Sequence, residues 1–484
     1  MAVEAFVGRS VELGLLRKRL DRITATGSGG AVAIRGRRQV GKSRLVQEFC
    51  DRVRIPYLFF TATKGTSSLE ALAMFHAELR ESGLPRDESL LPLSAPTSWP
   101  DALRLLATVL PETPSIVVLD ELPWLAEQDP VFDGALQTAW DRLLSRRPVL
   151  LLLLGSDLHM MERLTAYDRP FYGRADSLVL GPLNPAETGA ALGLDAPDAI
   201  DAHLVSGGLP GILRAWPHAT PPLDFIRAEC ADPASPLFGV PETALMAEFP
   251  APDQSRRVLE AIGSGDRTRA DIAATAGSRD GALPSGVLSP LLRRLSEEKR
   301  MVAVDSPLST RAGRPALHRV ADSNMRLYLA ALRSAQQLTL RGRPDAAFGL
   351  VARRWPAWRG RAVEPLVRES LELAVTDDDF PWPGTETVGG WWNRAFSPEI
   401  DLVGADRAPV ARILFFVGSV KWLNTPFDGH DLASLRQGAT QVPGFDATTC
   451  GLAVATLSGT KDLTGDDAVD LVWGPRDVVS AWPA

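Results

Sequence analysis

The sequence predicts an α/β protein: a parallel sheet flanked by helices with a small helical lid, then a module of three helices and a two-stranded hairpin, then a second α/β domain. Three observations carry this expectation. Over residues 1 to about 180, short apolar runs alternate with longer amphipathic stretches, the rhythm of strands and crossover helices. From Ser255 the rhythm changes to three short helical stretches followed by two β-rich runs. Charge changes with it, since residues 1–250 hold 24 basic and 31 acidic side chains, 251–344 hold 16 and 9, and 345–484 hold 12 and 19. A basic module therefore stands between two acidic ones, and a local basic face can hold phosphates in a protein that is acidic overall.

A chain of 484 residues suggests about three domains at roughly 150 residues each. Its 45% hydrophobic and 23% charged residues are the balance of a soluble globular protein and exclude a disordered or fibrous one. Cys50, Cys230 and Cys450 lie far apart, with neither disulfide-framework nor zinc-ligand spacing. This fits a reducing, cytoplasmic setting. The longest apolar run, Val149 to Leu154, is far too short to span a membrane, and no secretory leader pattern opens the chain. No membrane partner is expected.

Taken in order, Ala31 to Arg35, Tyr57 to Thr61, Ile116 to Asp120, Val149 to Gly155 and Ser177 to Leu180 read as the strands of the first sheet, within a domain over 1–183. The pattern is helical over 184–250, with a sharp break at Gly207-Gly208-Leu209-Pro210. In the 251–344 module the two β-rich runs are Met301 to Val304 and Ala316 to Val320, and that order of helices and strands is a winged helix. The last domain, 345–484, opens on an amphipathic helix near Ala362 to Leu373 and continues in strands at Thr387 to Asn393, Ile400 to Val403 and Ile413 to Trp422.

Gly36-Arg37-Arg38-Gln39-Val40-Gly41-Lys42-Ser43 fits the G-x-x-x-x-G-K-[ST] pattern between a strand and a helix, with Arg44 on the helix's first turn. Glycines let such a loop wrap closely enough for backbone N–H groups to face phosphates, and the helix N-terminus adds its positive dipole. Lys42 is expected to reach the β- and γ-phosphates of ATP and Ser43 to reach Mg²⁺. Downstream, Ile116-Val117-Val118-Leu119-Asp120-Glu121 is an apolar strand ending in two carboxylates. Asp120 is the expected Mg²⁺ partner and Glu121 the base or water-positioning group. Ser156 ends its strand beside the γ-phosphate position if that strand neighbours the one ending at Asp120, and is otherwise a loop serine. Arg174 either lends positive charge to the transition state, in its own or a neighbouring subunit, or forms a surface salt bridge.

At these residues the chain resembles the AAA-like, STAND-related ATPases first noted in archaea, which often carry a C-terminal nuclease-like domain. The resemblance runs through Phe6-Val7-Gly8-Arg9 with Glu12-Leu13, the phosphate loop, Leu119-Asp120-Glu121, Gly155-Ser156 with Met160-Met161, Phe171-Tyr172-Gly173-Arg174 and Gly207-Gly208-Leu209-Pro210. It implies that Gly8 and Arg9 lie near the adenine side of the nucleotide.

In a winged helix the third helix enters the major groove and the wing touches the DNA backbone. Leu283 to Lys299 is the candidate recognition stretch, bearing Arg293 and Arg294, and Arg311 and Arg314 belong to the wing. Protein contact is the alternative use of such a module. In the last domain Glu364, Asp401 and Lys421 follow the order of the P-D-(D/E)-x-K nuclease core, of restriction-endonuclease-like α/β fold, and the family resemblance extends through Glu399-Ile400-Asp401-Leu402-Val403 and Gly418-Ser419-Val420-Lys421-Trp422. Such a site holds Mg²⁺ on carboxylates and uses lysine to stabilise the attacking hydroxide. Ser419 departs from the pattern, because a neutral hydroxyl stands where the family usually has glutamate. Residues two apart on a strand share a face, so Glu399, beside Asp401, is a candidate replacement for the missing charge. The alternative is a nuclease fold kept for binding alone. None of the six histidines, His430 included, shows metal-ligand spacing.

Three functions follow as expectations. The leading one is an ATP-binding, ATP-hydrolysing switch that couples nucleotide state to nucleic-acid engagement, DNA before RNA. The second is a STAND-like regulatory or assembly ATPase without nuclease activity, and the third a metal-dependent nuclease regulated by ATP. A homo-oligomer is compatible with each.

Overall fold

The computed structural model of the chain describes residues 6–483 apart from 85–87, 157–160, 163–166, 168, 170, 250, 252, 279–280, 313–314, 464 and 466–467. The chain folds into two compact units, Met1–Pro182 and Leu183–Ala484.

In the first unit, strands β1 (Gly30–Arg35), β2 (Tyr57–Thr61), β3 (Ser115–Asp120), β4 (Val149–Gly155) and β5 (Asp176–Val179) form one sheet in the order β2-β3-β4-β1-β5. Every neighbouring pair is parallel. Each strand lies within one residue, at either end, of the run read from the sequence. The central strands β3 and β4 are buried at every position, which is why they read as unbroken apolar runs rather than alternating ones.

Helix α1 (Ser10–Thr26) precedes the sheet, and the crossovers include helices α2 (Lys42–Val53), α3 (Ser68–Glu81), α4 (Trp99–Val109), α5 (Leu122–Gln128) and α6 (Phe132–Arg142). Local chemistry fixes where two of them start. Ser67 and Glu70 form a reciprocal capping box at α3, and the Ser98 hydroxyl accepts from the Asp101 amide at α4. An aromatic chain then fastens α3, α4 and α6 to the sheet. Phe60 meets Phe75 at 5.3 Å, Phe75 meets Trp99 at 5.7 Å and Trp99 meets Phe132 at 5.0 Å between ring centroids, all edge-on. The parallel pairings of β4 with β3 and β1 hold the C-terminal ends of these three strands side by side, the edge where open parallel sheets bind ligands.

The second unit opens with helices that include α7 (Pro185–Leu192) and α8 (Ala196–Ser206). At Gly208 (φ 63°) a Cβ would lie 2.0 Å from the Leu183 carbonyl oxygen, so only glycine fits the break after α8. Helices α9 (Gln254–Ser264), α10 (Arg269–Thr275) and α11 (Ser285–Arg293) then precede the antiparallel hairpin β6 (Val302–Asp305) and β7 (Leu317–Val320). Residues Leu308 to Thr310, in the segment joining the two strands, bond to later parts of the same unit. Leu308 N donates to Gly390 O at 2.8 Å, Thr310 N to Pro443 O at 3.1 Å, and Ala411 N to Ser309 O at 3.0 Å.

A helix of 31 residues, α12 (Pro344–Ala374), leads into the C-terminal part of this unit. Its sheet contains β8 (Thr387–Trp392), β9 (Glu399–Ala405), β10 (Leu414–Lys421), β11 (Gly451–Thr456) and β12 (Leu471–Trp473) in the order β12-β11-β10-β9-β8. The pairs β8/β9 and β9/β10 are antiparallel, and β10/β11 and β11/β12 are parallel. Alternate residues face opposite ways. Phe416, Ala453 and Ala455 pack with Val363, Leu366 and Val367 of α12, while Val417 and Val454 pack with Leu432 and Leu435 of α13 (Gly429–Ala439). Among the described residues, no helix is long and apolar enough to cross a membrane.

Candidate functional site

β1 ends at Arg35, the loop 36–41 follows, and α2 begins at Lys42. The loop is tight for a steric reason: a Cβ on Gly36 would stand 2.4 Å from Leu180 O. Gln39 (φ 65°) and Gly41 (φ 92°) take left-handed backbone angles, the conformation that turns successive amides inward. Lys42 is 6% exposed, and its ammonium donates to Gly36 O at 2.8 Å and Arg37 O at 3.0 Å. Burial pushes its pKa down to about 8, against the opposing pull of the Glu121 and Asp120 carboxylates. The ammonium is therefore desolvated beside a loop whose geometry suits phosphate.

β3 delivers the acids. Ser43 Oγ donates to Asp120 Oδ2 at 2.7 Å, and Asp120 Oδ1 accepts from the Glu121 amide at 2.9 Å. Burial raises the Asp120 pKa despite these bonds. Glu121 sits at φ 55° as the N-cap of α5, a strained angle for a residue with a Cβ. That angle turns the chain abruptly at the end of β3. Because β4 lies between β3 and β1, Ser156, the residue after β4, lies between the two motifs, and its hydroxyl donates to Glu121 Oε2 at 2.9 Å.

The donor set fits Mg²⁺. That cation takes one or two protein oxygens and fills the rest of its octahedron with phosphate oxygens and water, and a hydroxyl and a carboxylate stand adjacent at Ser43 and Asp120. The remaining expected residues are spread more widely. Arg9, 4% exposed, donates to Val40 O at 2.9 Å and Gly181 O at 2.7 Å and pairs with Glu12 at 3.1 Å. With Gly8 (φ 70°) it buttresses the back of the loop. Arg38 and Gln39 are exposed, and Arg44 is exposed and pairs with Glu48 at 3.2 Å. Arg174 does not turn to the phosphate loop: it makes a two-point bond with Asp141 of α6 at 2.8 Å, the salt bridge that was its alternative reading. Met160 lies outside the described residues.

In the second unit Glu364 of α12 and Glu399 and Asp401 of β9 line one pocket. Burial pushes the Glu364 pKa up to about 7, with the Asp401 charge adding to the shift, and burial raises Asp401 as well. Each acid already has a partner. Asp401 Oδ2 accepts from Ser419 Oγ at 3.0 Å and the Val420 amide at 2.8 Å, Arg368 lies 3.6 Å from Glu364, and Arg267 donates to both oxygens of Glu399 at 3.2 and 3.1 Å. Lys421 is held by Asp431 of α13. These residues do not fit a divalent cation in this arrangement. Ser419 is neutral, guanidinium groups stand against two of the acids, and among the described residues no three His, Cys, Asp or Glu side chains converge as metal ligands do.

Sequence reasoning missed Asp431, Arg267 and Arg368. Only Arg368, one helical turn after Glu364, carried a readable signal. Of the expected nucleic-acid contacts, Arg293 and Arg311 are exposed, whereas Arg294 reaches Ser255 at 3.2 Å and Asp253 at 3.4 Å. Arg314 lies outside the described residues.

Against known proteins, residues 5–153 match the AAA ATPase domain family. An uncharacterized protein of Methanocaldococcus jannaschii, MJECL04, is 23% identical over 410 residues, 82% of this chain and 84% of that protein. Among solved structures, the Walker-type ATPase paby2304 of Pyrococcus abyssi is similar with a TM-score of 0.46 and 18% identity, over 68% of this chain and 97% of that one. The ORC2 protein of Aeropyrum pernix, in ADPNP–ADP complexes, has a TM-score of 0.44 and 14% identity over 70% and 95%. The match over residues 5–153 takes in the phosphate loop, the acidic strand end and strands β1 to β3 of the parallel sheet.

Proposed function

We propose that the chain is an ATP-hydrolysing switch whose nucleotide state governs how its second unit engages nucleic acid, and that the second unit engages without cutting. The convergence of Lys42, Ser43, Asp120, Glu121 and Ser156 at the ends of three adjacent strands carries this reading. On it, Ser43 and Asp120 would hold Mg²⁺, whose charge would offset that gathering on the phosphate oxygens. Lys42 exchanges its two carbonyl partners for phosphate oxygens. Glu121, aimed by Ser156, orients the attacking water and accepts its proton. Engagement without cleavage is supported by Ser419, by the Lys421–Asp431 pair and by the arginines set against Glu364 and Glu399. DNA as the nucleic acid is supported by the basic balance of residues 251–344 and by the exposure of Arg293 and Arg311 within them.

The test uses Glu121→Gln, which should keep ATP bound while slowing turnover about 10²- to 10⁴-fold. Duplex affinity, read by fluorescence anisotropy at fixed salt, should differ by about fivefold or more between the ATP-held and ADP states, with the DNA intact in Mg²⁺ or Mn²⁺. Equal affinity in both states rejects the coupling, and cut DNA rejects the non-cutting reading. A regulatory assembly ATPase that makes no use of DNA is the second reading, favoured by Leu308 to Thr310 after β6 being spent on protein contact. An ATP-dependent change in particle size without DNA binding would select it.

A further inference from the structure

The charged groups of the second unit that ATP chemistry does not use gather in one place. Arg267, Arg319 and Arg326, which flank or belong to the hairpin, line the same pocket as Glu364, Glu399 and Asp401. Arg267, between α9 and α10, holds Glu399 through both carboxylate oxygens. Its own carbonyl accepts from the His318 amide at 2.9 Å, which ties it to β7. The turn between β6 and β7 is anchored separately. Leu308 is buried and bonded to Gly390, the Trp392 indole donates to Pro315 O at 2.8 Å, and Ser309 pairs with Val410 as a β-bridge.

We propose that the hairpin module is a clasp over the carboxylate pocket. Leu308, Ser309 and Pro315 dock on β8 and on the approach to β10, and Arg267 supplies at Glu399 the positive charge a cation would otherwise bring. Glu364 and Asp401, each only partly exposed while the clasp is closed, then open fully to solvent, or to a nucleic-acid backbone, when the clasp lifts. The seam is built to part. Among the described residues it includes a few hydrogen bonds, the apolar anchor Leu308 and an ion pair whose side chains are 29% and 35% exposed, a strength within reach of local opening. Only the identity of what enters the open pocket rests on the function proposed above; the clasp itself rests on these contacts.

Carboxyl labelling of the full-length protein with a water-soluble carbodiimide and an amine, read by mass spectrometry at Glu364 and Asp401, tests the clasp. Arg267→Ala should raise labelling at both about threefold, the shift in a local opening equilibrium set by losing one half-exposed ion pair. Arg267→Lys should stay near the native level. Asp201, buried and paired with Arg359, should not change in either, which separates opening from unfolding. Ser309→Cys with Val410→Cys, added to Arg267→Ala and oxidised, should return labelling to the native level, since bridged backbones run within disulfide reach, and reductant should release it. Unchanged labelling in Arg267→Ala, or a cysteine pair that fails to join or to restore protection, overturns the clasp. DNA added to the open variant decides the other question. Protection of the opened acids supports nucleic-acid engagement, and no protection rejects that engagement while leaving the clasp in place.

Discussion

Lys42 and Glu121 are each held by groups that nucleotide must displace or exploit. A desolvated ammonium satisfied only by two carbonyls gains most from a ligand that brings negative charge, and the Ser156 hydroxyl on Glu121 leaves one carboxylate oxygen to face water. Ser156 thus acts through Glu121. Ser156→Ala should lower kcat for ATP about tenfold, the rate equivalent of roughly one hydrogen bond, and leave KM nearly unchanged in steady-state assays; an unaltered kcat would remove the positioning role. The phosphate loop and the Asp120-Glu121 pair were legible because each is a contiguous run whose chemistry depends on neighbours in sequence. Arg9 was not legible in the same way, since its partners Val40 and Gly181 are 31 and 172 residues away. Neither was the Lys421–Asp431 pair, because a strand lysine carries no mark of which acid it will meet.

At the scale of elements, the first sheet was readable because fully buried parallel strands are short apolar runs bounded by turns. The last domain was less so. α12 runs from Pro344 to Ala374, through Pro356 and Pro365, although sequence reading began its helix near Ala362. Proline in a helix interior removes a hydrogen bond and strains the preceding turn, but the buried stripe of Val351, Trp355, Val363, Leu366 and Leu371 outweighs that cost. β11, Gly451-Leu-Ala-Val-Ala-Thr456, escaped notice because glycine and alanine give weak β signals, and its position is set by pairing with β10. α8 carries two titrating groups of opposite effect. Burial pushes His203 down to about 4 and Asp201 up to about 6. A histidine held neutral contributes stability above its ordinary pKa of 6.5 and loses it as pH falls towards 4, whereas the Asp201 contribution is lost as pH rises through 6. His203→Gln removes only the first. Chemical denaturation at pH 7 and pH 4.5 should therefore show the variant losing about 1–2 kcal/mol less than the native protein over that interval; equal losses would mean that the imidazole is already charged in the folded state.

For the whole molecule, the uneven division of charge gave the first indication of separate working parts, and the fold pairs part of the basic middle with acids. Arg267, Arg294 and Arg319 are engaged by Glu399, Asp253 and Asp305, so a net positive count overstated the surface free to meet DNA. No such discount applies to the first unit, where the residues that would bind ATP converge on one end of one sheet. The account as a whole depends on ATP being turned over there. Phosphate release from ATP and Mg²⁺ by the full-length protein, measured beside Lys42→Ala, tests that claim most directly. Turnover by the native chain that Lys42→Ala lowers by about 10²-fold or more, the loss of a charge that stabilises the transferring phosphoryl group, is the predicted result. Turnover that survives Lys42→Ala unchanged would contradict it.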